Sequence, residues 1–282
     1  MESKITIAEL VAAKRENRKI AAVSCYDYGT AKLVSQTGVE MILVGDSAAQ
    51  LVLGMESTLP ATMGFMVAIT AAVRRGAPNL YLVADMPFLS YQVGLNEAVK
   101  NAGRFASEGG AQMIKVEVSR AHLNVVKAIS DAGMAVMAHI GIRPQNIGRM
   151  GRFKAEATTA EMGLDLISLA DEMVQAGASS LLIEGTAAEV AEIITKRSEV
   201  PVISCGAGPG CDGQILILPD ILGLTEGARP KFAKSYGNLG EAIIEAVSKY
   251  CQEVQSGQFP DSEHSYHMKR GEVQRLQALL SG

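Results

Sequence analysis

Four carboxylates, a lysine and an imidazole stand at the ends of short apolar runs: Asp46 after MILVG, Asp85 after LYLVA, Lys115 and Glu117 within MIKVEV, His139 in MAHIG, and Glu184 after SLLI. Ser47 follows Asp46 directly, and Asp27 lies just beyond the run Ile20–Cys25. Two converging carboxylates and water make an ordinary Mg2+ site, because Mg2+ takes few protein ligands and keeps several waters. Asp46 and Asp85 fit that use; capping the helices that follow is the competing use. Lys115 and Glu117 stand two apart, so on a strand both point to one face. They form either a structural ion pair or a working pair, with Glu117 holding a metal-bound water and Lys115 meeting a substrate oxygen. A lone histidine such as His139 is usually a satisfied core residue; beside these acids it becomes a candidate substrate contact. Glu184 begins in an apolar setting, where burial raises a carboxylate's pKa and makes it a better proton acceptor near neutral pH. The competing reading is a capping or salt-bridged glutamate.

These positions need a scaffold that brings strand ends together. The apolar runs are Ile20–Cys25, Met41–Asp46, Leu80–Asp85, Met113–Val118, Ala135–Gly141, Ser180–Gly185 and Val200–Ala207, with a weaker eighth near Arg229–Lys234. Near-continuous apolar runs are what parallel strands buried on both faces require. Helical patterns lie between them, at Asn96–Glu108, Thr159–Gly177 and Ala187–Lys196, and Gly133 and Gly177 are placed as C-terminal caps. The alternation predicts a (β/α)8 TIM barrel of parallel strands, whose C-terminal strand ends share one catalytic face. A doubly wound open sheet is the runner-up, but the first strand runs into Tyr26-Asp27-Tyr28-Gly29 rather than a glycine fingerprint. Thr6–Asn17 predicts a helix ahead of the barrel, with Thr6 and Glu9 as its capping box. A single barrel domain is expected over 1–256, followed by a C-terminal extension at 257–282. The loop Gly206-Ala207-Gly208-Pro209-Gly210 suits a phosphate cradle or a tight turn equally well.

Composition narrows the partners. The chain has 282 residues, a net charge of −4 and no concentrated basic face, which argues against nucleic acid. No apolar run reaches the length of a membrane-spanning helix, and MESKITIAEL lacks the layout of a signal peptide. Cys25, Cys205, Cys211 and Cys251 form no C-x-x-C pair and read as packing thiols in a reducing compartment, so the cytoplasm is expected.

From about Thr6 to His267 the chain resembles the ketopantoate hydroxymethyltransferase (3-methyl-2-oxobutanoate hydroxymethyltransferase) family. The anchors are CYDYGTAKL, ILVGDSAAQLVLGMESTLPAT, AAVRRGAP, VADMPFLSY, MIKVEV, HIGIRPQ, GAGPGCDGQIL, PKFAKSY and EHSYH. The resemblance implies Asp46 and Asp85 as Mg2+ ligands and Glu117 as support for the metal. It implies that Ser47, Lys115 and His139 join the two aspartates in holding a 2-oxo acid, with Glu184 as the base. The implied reaction passes a hydroxymethyl group from 5,10-methylenetetrahydrofolate to 3-methyl-2-oxobutanoate through a Mg2+-stabilised enolate, giving 2-dehydropantoate for pantothenate biosynthesis. It also implies a homo-oligomer such as a decamer, with the N-terminal helix and the C-terminal segment available to pack between subunits. The chain departs from the family at Ala48-Ala49, Ala68-Ile69, Val118-Ser119, the loop Met150–Glu156 and the residues after Glu184. Two alternatives therefore stay open: a paralogue acting on another 2-oxo acid or acceptor, and an enzyme like the phosphoenolpyruvate mutase/isocitrate lyase group. The Lys-Cys-Gly-His loop typical of that group's lyases is absent from the sequence. A non-catalytic protein that merely keeps the fold is a third class, and the intact Asp46, Asp85, Lys115 and Glu184 argue against it.

Overall fold

Parallel strands buried on both faces build either an open sheet between helix layers or a closed barrel, and this chain closes one. The computed structural model describes residues 4–151, 154–225, 227 and 230–282. Its strands are β1 (Ile20–Ser24), β2 (Met41–Val44), β3 (Tyr81–Asp85), β4 (Met113–Glu117), β5 (Ala135–Gly141), β6 (Ser180–Glu184), β7 (Val202–Cys205) and β8 (Gly213–Ile217). All pair in parallel in chain order, and β8 returns to β1, completing a (β/α)8 barrel.

Seven strands fall within the expected runs, and the eighth does not. Pro230–Lys234 carries no strand, Arg229 lies outside the described residues, and β8 sits upstream at Gly213–Ile217. The cause is the crossover. No helix separates β7 from β8; the glycine-rich loop Gly206–Asp212 makes the connection alone, so the strand–helix rhythm skips there. The outer face of β8 is also only partly covered, with Gln214 exposed, so the run lacks the continuous apolar character of its neighbours.

Strand parity explains where the polar groups go. The inward positions climb in steps of two: Tyr81, Val83 and Asp85 on β3; Met113, Lys115 and Glu117 on β4; Met137 and His139 on β5; Leu182 and Glu184 on β6. The lower members form an apolar core with Met41, Leu43, Ile203 and Ile215. The polar members are the last inward steps, at the C-terminal mouth. A second, larger core lies between the strands' outer faces and the surrounding helices.

The helix ahead of the barrel spans Ile7–Arg15 and starts with the expected capping box of Thr6 and Glu9. It closes the floor of its own barrel. Leu10 and Ala13 are buried at 1% and 0% exposure among Ile20, Met41, Tyr81 and Met113. Lys14 in its last turn donates to the Thr195 carbonyl at 2.9 Å and to Asp212 at 2.8 Å. Burying a leucine of this kind contributes about 1.5–3 kcal/mol.

The C-terminal helices behave differently. Neither Leu239–Ser256 nor Glu272–Leu280 buries a residue, and the first displays Ile243, Ile244, Val247 and Tyr250 to solvent. Among the described residues no helix is long and apolar enough to cross a membrane.

Candidate active site

The strand ends surround a cavity of about 250 Å3 at the C-terminal mouth. Asp46, Ser47, Asp85, Lys115, His139 and Glu184 all line it, and the floor and walls are Leu43, Leu182, Cys205, Ile215 and Ile217. Glu117 stands behind this lining, next to His139 on the neighbouring strand. Asp27 is not part of the cluster. It caps the helix Tyr28–Val34, accepting from the Thr30 N–H at 2.8 Å.

Two glycines fix the strand ends beside the histidine and the glutamate. Gly141 has φ +86°, and a Cβ there would lie 2.3 Å from the Glu184 carbonyl oxygen. Gly185 has φ +53°, and its Cβ would lie 2.2 Å from Ile142 Cδ1. The left-handed backbone demands glycine at both, and at Gly141 the close approach of backbone adds to the demand.

The acids are held by one oxygen each. Asp85 Oδ2 accepts from Lys115 Nζ at 2.6 Å and from the Asp46 N–H at 3.0 Å. Asp46 Oδ2 accepts from Gln145 Nε2 at 2.9 Å, and Glu117 Oε2 from the Gln145 N–H at 3.1 Å. Asp85 Oδ1 and Glu117 Oε1 are buried without a partner. Ser47 Oγ shares a 2.8 Å hydrogen bond with the Tyr26 hydroxyl. His139 Nε2 lies 3.4 Å from Glu184 Oε2, and Nδ1 lies 3.9 Å from Glu117 Oε1. Neither contact qualifies as a hydrogen bond, so both ring nitrogens are buried and unsatisfied.

Burial is the main force on the charges here. It pushes Asp85 up to about 7, against the pull of Lys115. It also pushes Glu117 well above the usual carboxylate range, with Lys115 again opposing. Burial works against the Lys115 ammonium as well, but Asp85, Asp46 and Glu117 together outweigh it and keep the lysine charged. One cation thus faces three acids, and the shortage of positive charge falls on the acids. His139 is held below its ordinary value by burial and by Lys115. Glu184 is partly buried, as expected, but is the most open of the acids. Its side chain is 21% exposed, against 1% for Asp85 and 2% for Glu117, because it ends β6 where the cavity opens.

A divalent cation fits this arrangement. It would supply the missing positive charge and meet the orphaned carboxylate oxygens. Among the described residues no three His, Cys, Asp or Glu side chains form a ready-made cage. Mg2+ needs none, since one or two carboxylates with water and substrate suffice.

Gln145, Tyr91 and Tyr26 escaped the sequence reading, as did the cavity residues Thr58, Asp220 and Phe232. Gln145 was visible only as part of the HIGIRPQ segment after β5. The departures Ala48-Ala49, Ala68-Ile69, Val118-Ser119 and Gly185-Thr186 all lie outside the cavity lining. Ala68 is exposed on the outer helix Met63–Gly76. The loop Met150–Glu156 falls partly outside the described residues.

Comparison with known proteins points to one family. The model of the family described as "Ketopantoate hydroxymethyltransferase" matches residues 4–262. A 3-methyl-2-oxobutanoate hydroxymethyltransferase of Thermoanaerobacter sp. (strain X514) is 43% identical over 272 residues, covering 96% of this chain and 99% of that protein. One from Moorella thermoacetica is 44% identical over 264 residues, covering 94% and 98%. Among solved structures, phosphonopyruvate hydrolase in complex with oxalate and Mg++ superposes with a TM-score of 0.60 at 14% identity, covering 98% of this chain and 99% of that one. A 2,3-dimethylmalate lyase of the PEP mutase/isocitrate lyase superfamily gives 0.60 at 18% identity, with the same coverage. At that distance the structural likeness concerns the fold.

Proposed function

Since this chain belongs to the ketopantoate hydroxymethyltransferase family and is a hydroxymethyltransferase by that membership, we propose that it acts on 3-methyl-2-oxobutanoate, with 5,10-methylenetetrahydrofolate as donor and Mg2+ as cofactor. The observation that carries this reading is the cavity itself. It joins an acid cluster short of positive charge to an apolar floor of Leu43, Leu182 and Ile215, with an accessible carboxylate at the rim.

Asp46 and Asp85 would hold the cation, with Glu117 supporting it from behind. When bound, Mg2+ supplies Lewis acidity toward the keto oxygen and carboxylate of a 2-oxo acid. Lys115, charged and buried, adds positive potential where negative charge develops on the keto oxygen. Ser47 and His139 orient the polar end, and the apolar floor receives the branched tail. Glu184 removes the proton from C3. That carbon then bonds to the methylene of the folate, tetrahydrofolate leaves, and water supplies the hydroxyl of 2-dehydropantoate. This is a step toward pantothenate, in the cytoplasm by the free cysteines.

The chain would work as a homo-oligomer, a decamer by resemblance. The support is the apolar face of Leu239–Ser256, where Ile243, Ile244, Val247 and Tyr250 are 52%, 65%, 55% and 54% exposed. The barrel and the segment 257–282 would then be one domain and an assembly arm. The test of function is product formation. 2-Dehydropantoate should appear only when 2-oxo acid, Mg2+ and methylenetetrahydrofolate are all present. Turnover of the 2-oxo acid without the folate donor would instead favour the lyase-like alternative.

A further inference from the structure

We propose that Gln145 is a positioning residue whose side-chain amide selects the oxygen of Asp46 left for the cation, and that the Tyr91 hydroxyl locks that amide in place. This rests on the Mg2+ site proposed above. Gln145 sits in the short turn Pro144–Asn146 that follows β5 and is 4% exposed. Its amide is saturated. Nε2 donates to Asp46 Oδ2 and to the Met86 carbonyl, both at 2.9 Å. Oε1 accepts from the Tyr91 hydroxyl at 2.9 Å and from Gln92 Nε2 at 3.3 Å.

The orientation of the amide follows from these partners. The Met86 carbonyl can only accept, and Asp46 Oδ2 accepts as a carboxylate, so the NH2 group must face them. Flipping the amide would set oxygen against two acceptors and NH2 against the Gln92 donor. Tyr91 is 1% exposed, and its single hydroxyl proton is shared between Gln145 Oε1 and the Glu117 carbonyl, each 2.9 Å away, which fixes it relative to the same acids. The Gln145 N–H holds Glu117 Oε2 at 3.1 Å, so one residue ties a carboxylate at the end of β4 to one in the turn after β2. Each tie engages one oxygen. Glu117 Oε1 has no protein partner, and Oδ1 of Asp46 is the oxygen that Gln145 leaves alone.

The neutrality of the donor matters as much as its position. A lysine or arginine here would neutralise Asp46 and compete with the cation, and a glutamate would repel it. An amide orients the acid without reducing the negative charge that attracts Mg2+. Groups that orient metal ligands in this way commonly change metal affinity by about 10–100-fold when removed.

The experiment uses Mn2+ as the probe. Free Mn2+ is followed by electron paramagnetic resonance during titration of wild type, Gln145→Leu, Tyr91→Phe and Asp85→Asn, with melting midpoints measured alongside. Gln145→Leu should weaken Mn2+ binding by about 10–100-fold, and Tyr91→Phe should weaken it less but in the same direction. Each removes buried hydrogen bonds and should lower the melting midpoint, so Mn2+ is titrated well below that midpoint, where weaker binding by folded protein separates positioning from a role in folding alone. If both bind Mn2+ as wild type does while Asp85→Asn has lost it, the proposal fails and the metal site stands. If wild type binds no Mn2+, the proposal falls together with the site on which it rests. Should Gln145→Leu not fold, Tyr91→Phe decides: a weakened affinity supports the proposal and an unchanged one overturns it.

Discussion

Glu184→Gln isolates the proposed base from everything around it. The glutamate side chain makes no hydrogen bond among the described residues and lies 3.4 Å from His139 Nε2. A glutamine of equal size therefore breaks no bond, and the stability change should stay within about 0.5 kcal/mol, as for substitutions away from critical contacts. Asp46 and Asp85, tied to Gln145 and Lys115, keep their positions, so Mg2+ affinity should hold. The loss is then chemical. General-base catalysis typically contributes about 10²–10⁴-fold, or roughly 3–5 kcal/mol of barrier at 1.36 kcal/mol per decade. His139 is a neutral acceptor close by, but burial and Lys115 make it a weaker base than a free imidazole. It can sustain only a residual rate. The assay is loss of the C3 proton of 3-methyl-2-oxobutanoate in D2O, followed by NMR at saturating Mg2+, with turnover measured in parallel. Both rates should fall together. A Gln variant that exchanges the proton at the wild-type rate would refute the assignment and move the role to His139.

Other consequences follow from the same geometry. Leu182→Ala opens the cavity floor, so KM for the branched substrate should rise roughly tenfold, about 1.4 kcal/mol and in the lower part of the range for lost apolar contact; an unchanged KM would place the tail elsewhere. Leu10→Ala at the barrel floor should cost about 2–5 kcal/mol, read as a fall in the urea midpoint, with little effect on KM. His122 is held below its ordinary value by burial and by Arg143, and its Nδ1 accepts from the Ser119 N–H at 3.1 Å. A depressed base favours the folded state above its unfolded pKa and loses that advantage as pH falls through the folded pKa. Stability should therefore drop as pH falls below about 6.5, and His122→Asn, which keeps an acceptor but does not titrate, should flatten that drop.

Much of the site was legible because strand parity is simple. Asp85, Lys115, Glu117, His139 and Glu184 share an inward register that follows from counting in twos along apolar runs. What escaped depends on contacts that counting cannot reach. The strand β8 follows a helix-free crossover and has a half-open outer face, so it lacks both the spacing and the continuous burial of the others. Asp27 had the same sequence context as the site acids but is spent on a helix cap. Glu184 ends an apolar strand yet opens to the cavity, since burial along a strand does not fix exposure at its last residue. Gln145 is a common residue in a loop, and its role emerges only when Asp46, Met86, Tyr91 and Glu117 converge on it from three other segments.

The central claim is that this cavity removes a proton from a 2-oxo acid held beside Mg2+. The most direct measurement incubates the wild-type protein with 3-methyl-2-oxobutanoate in D2O, without folate, with Mg2+ or with a chelator. The account predicts loss of the C3 proton signal only when protein and Mg2+ are both present. No exchange with Mg2+, or equal exchange after chelation, would contradict it.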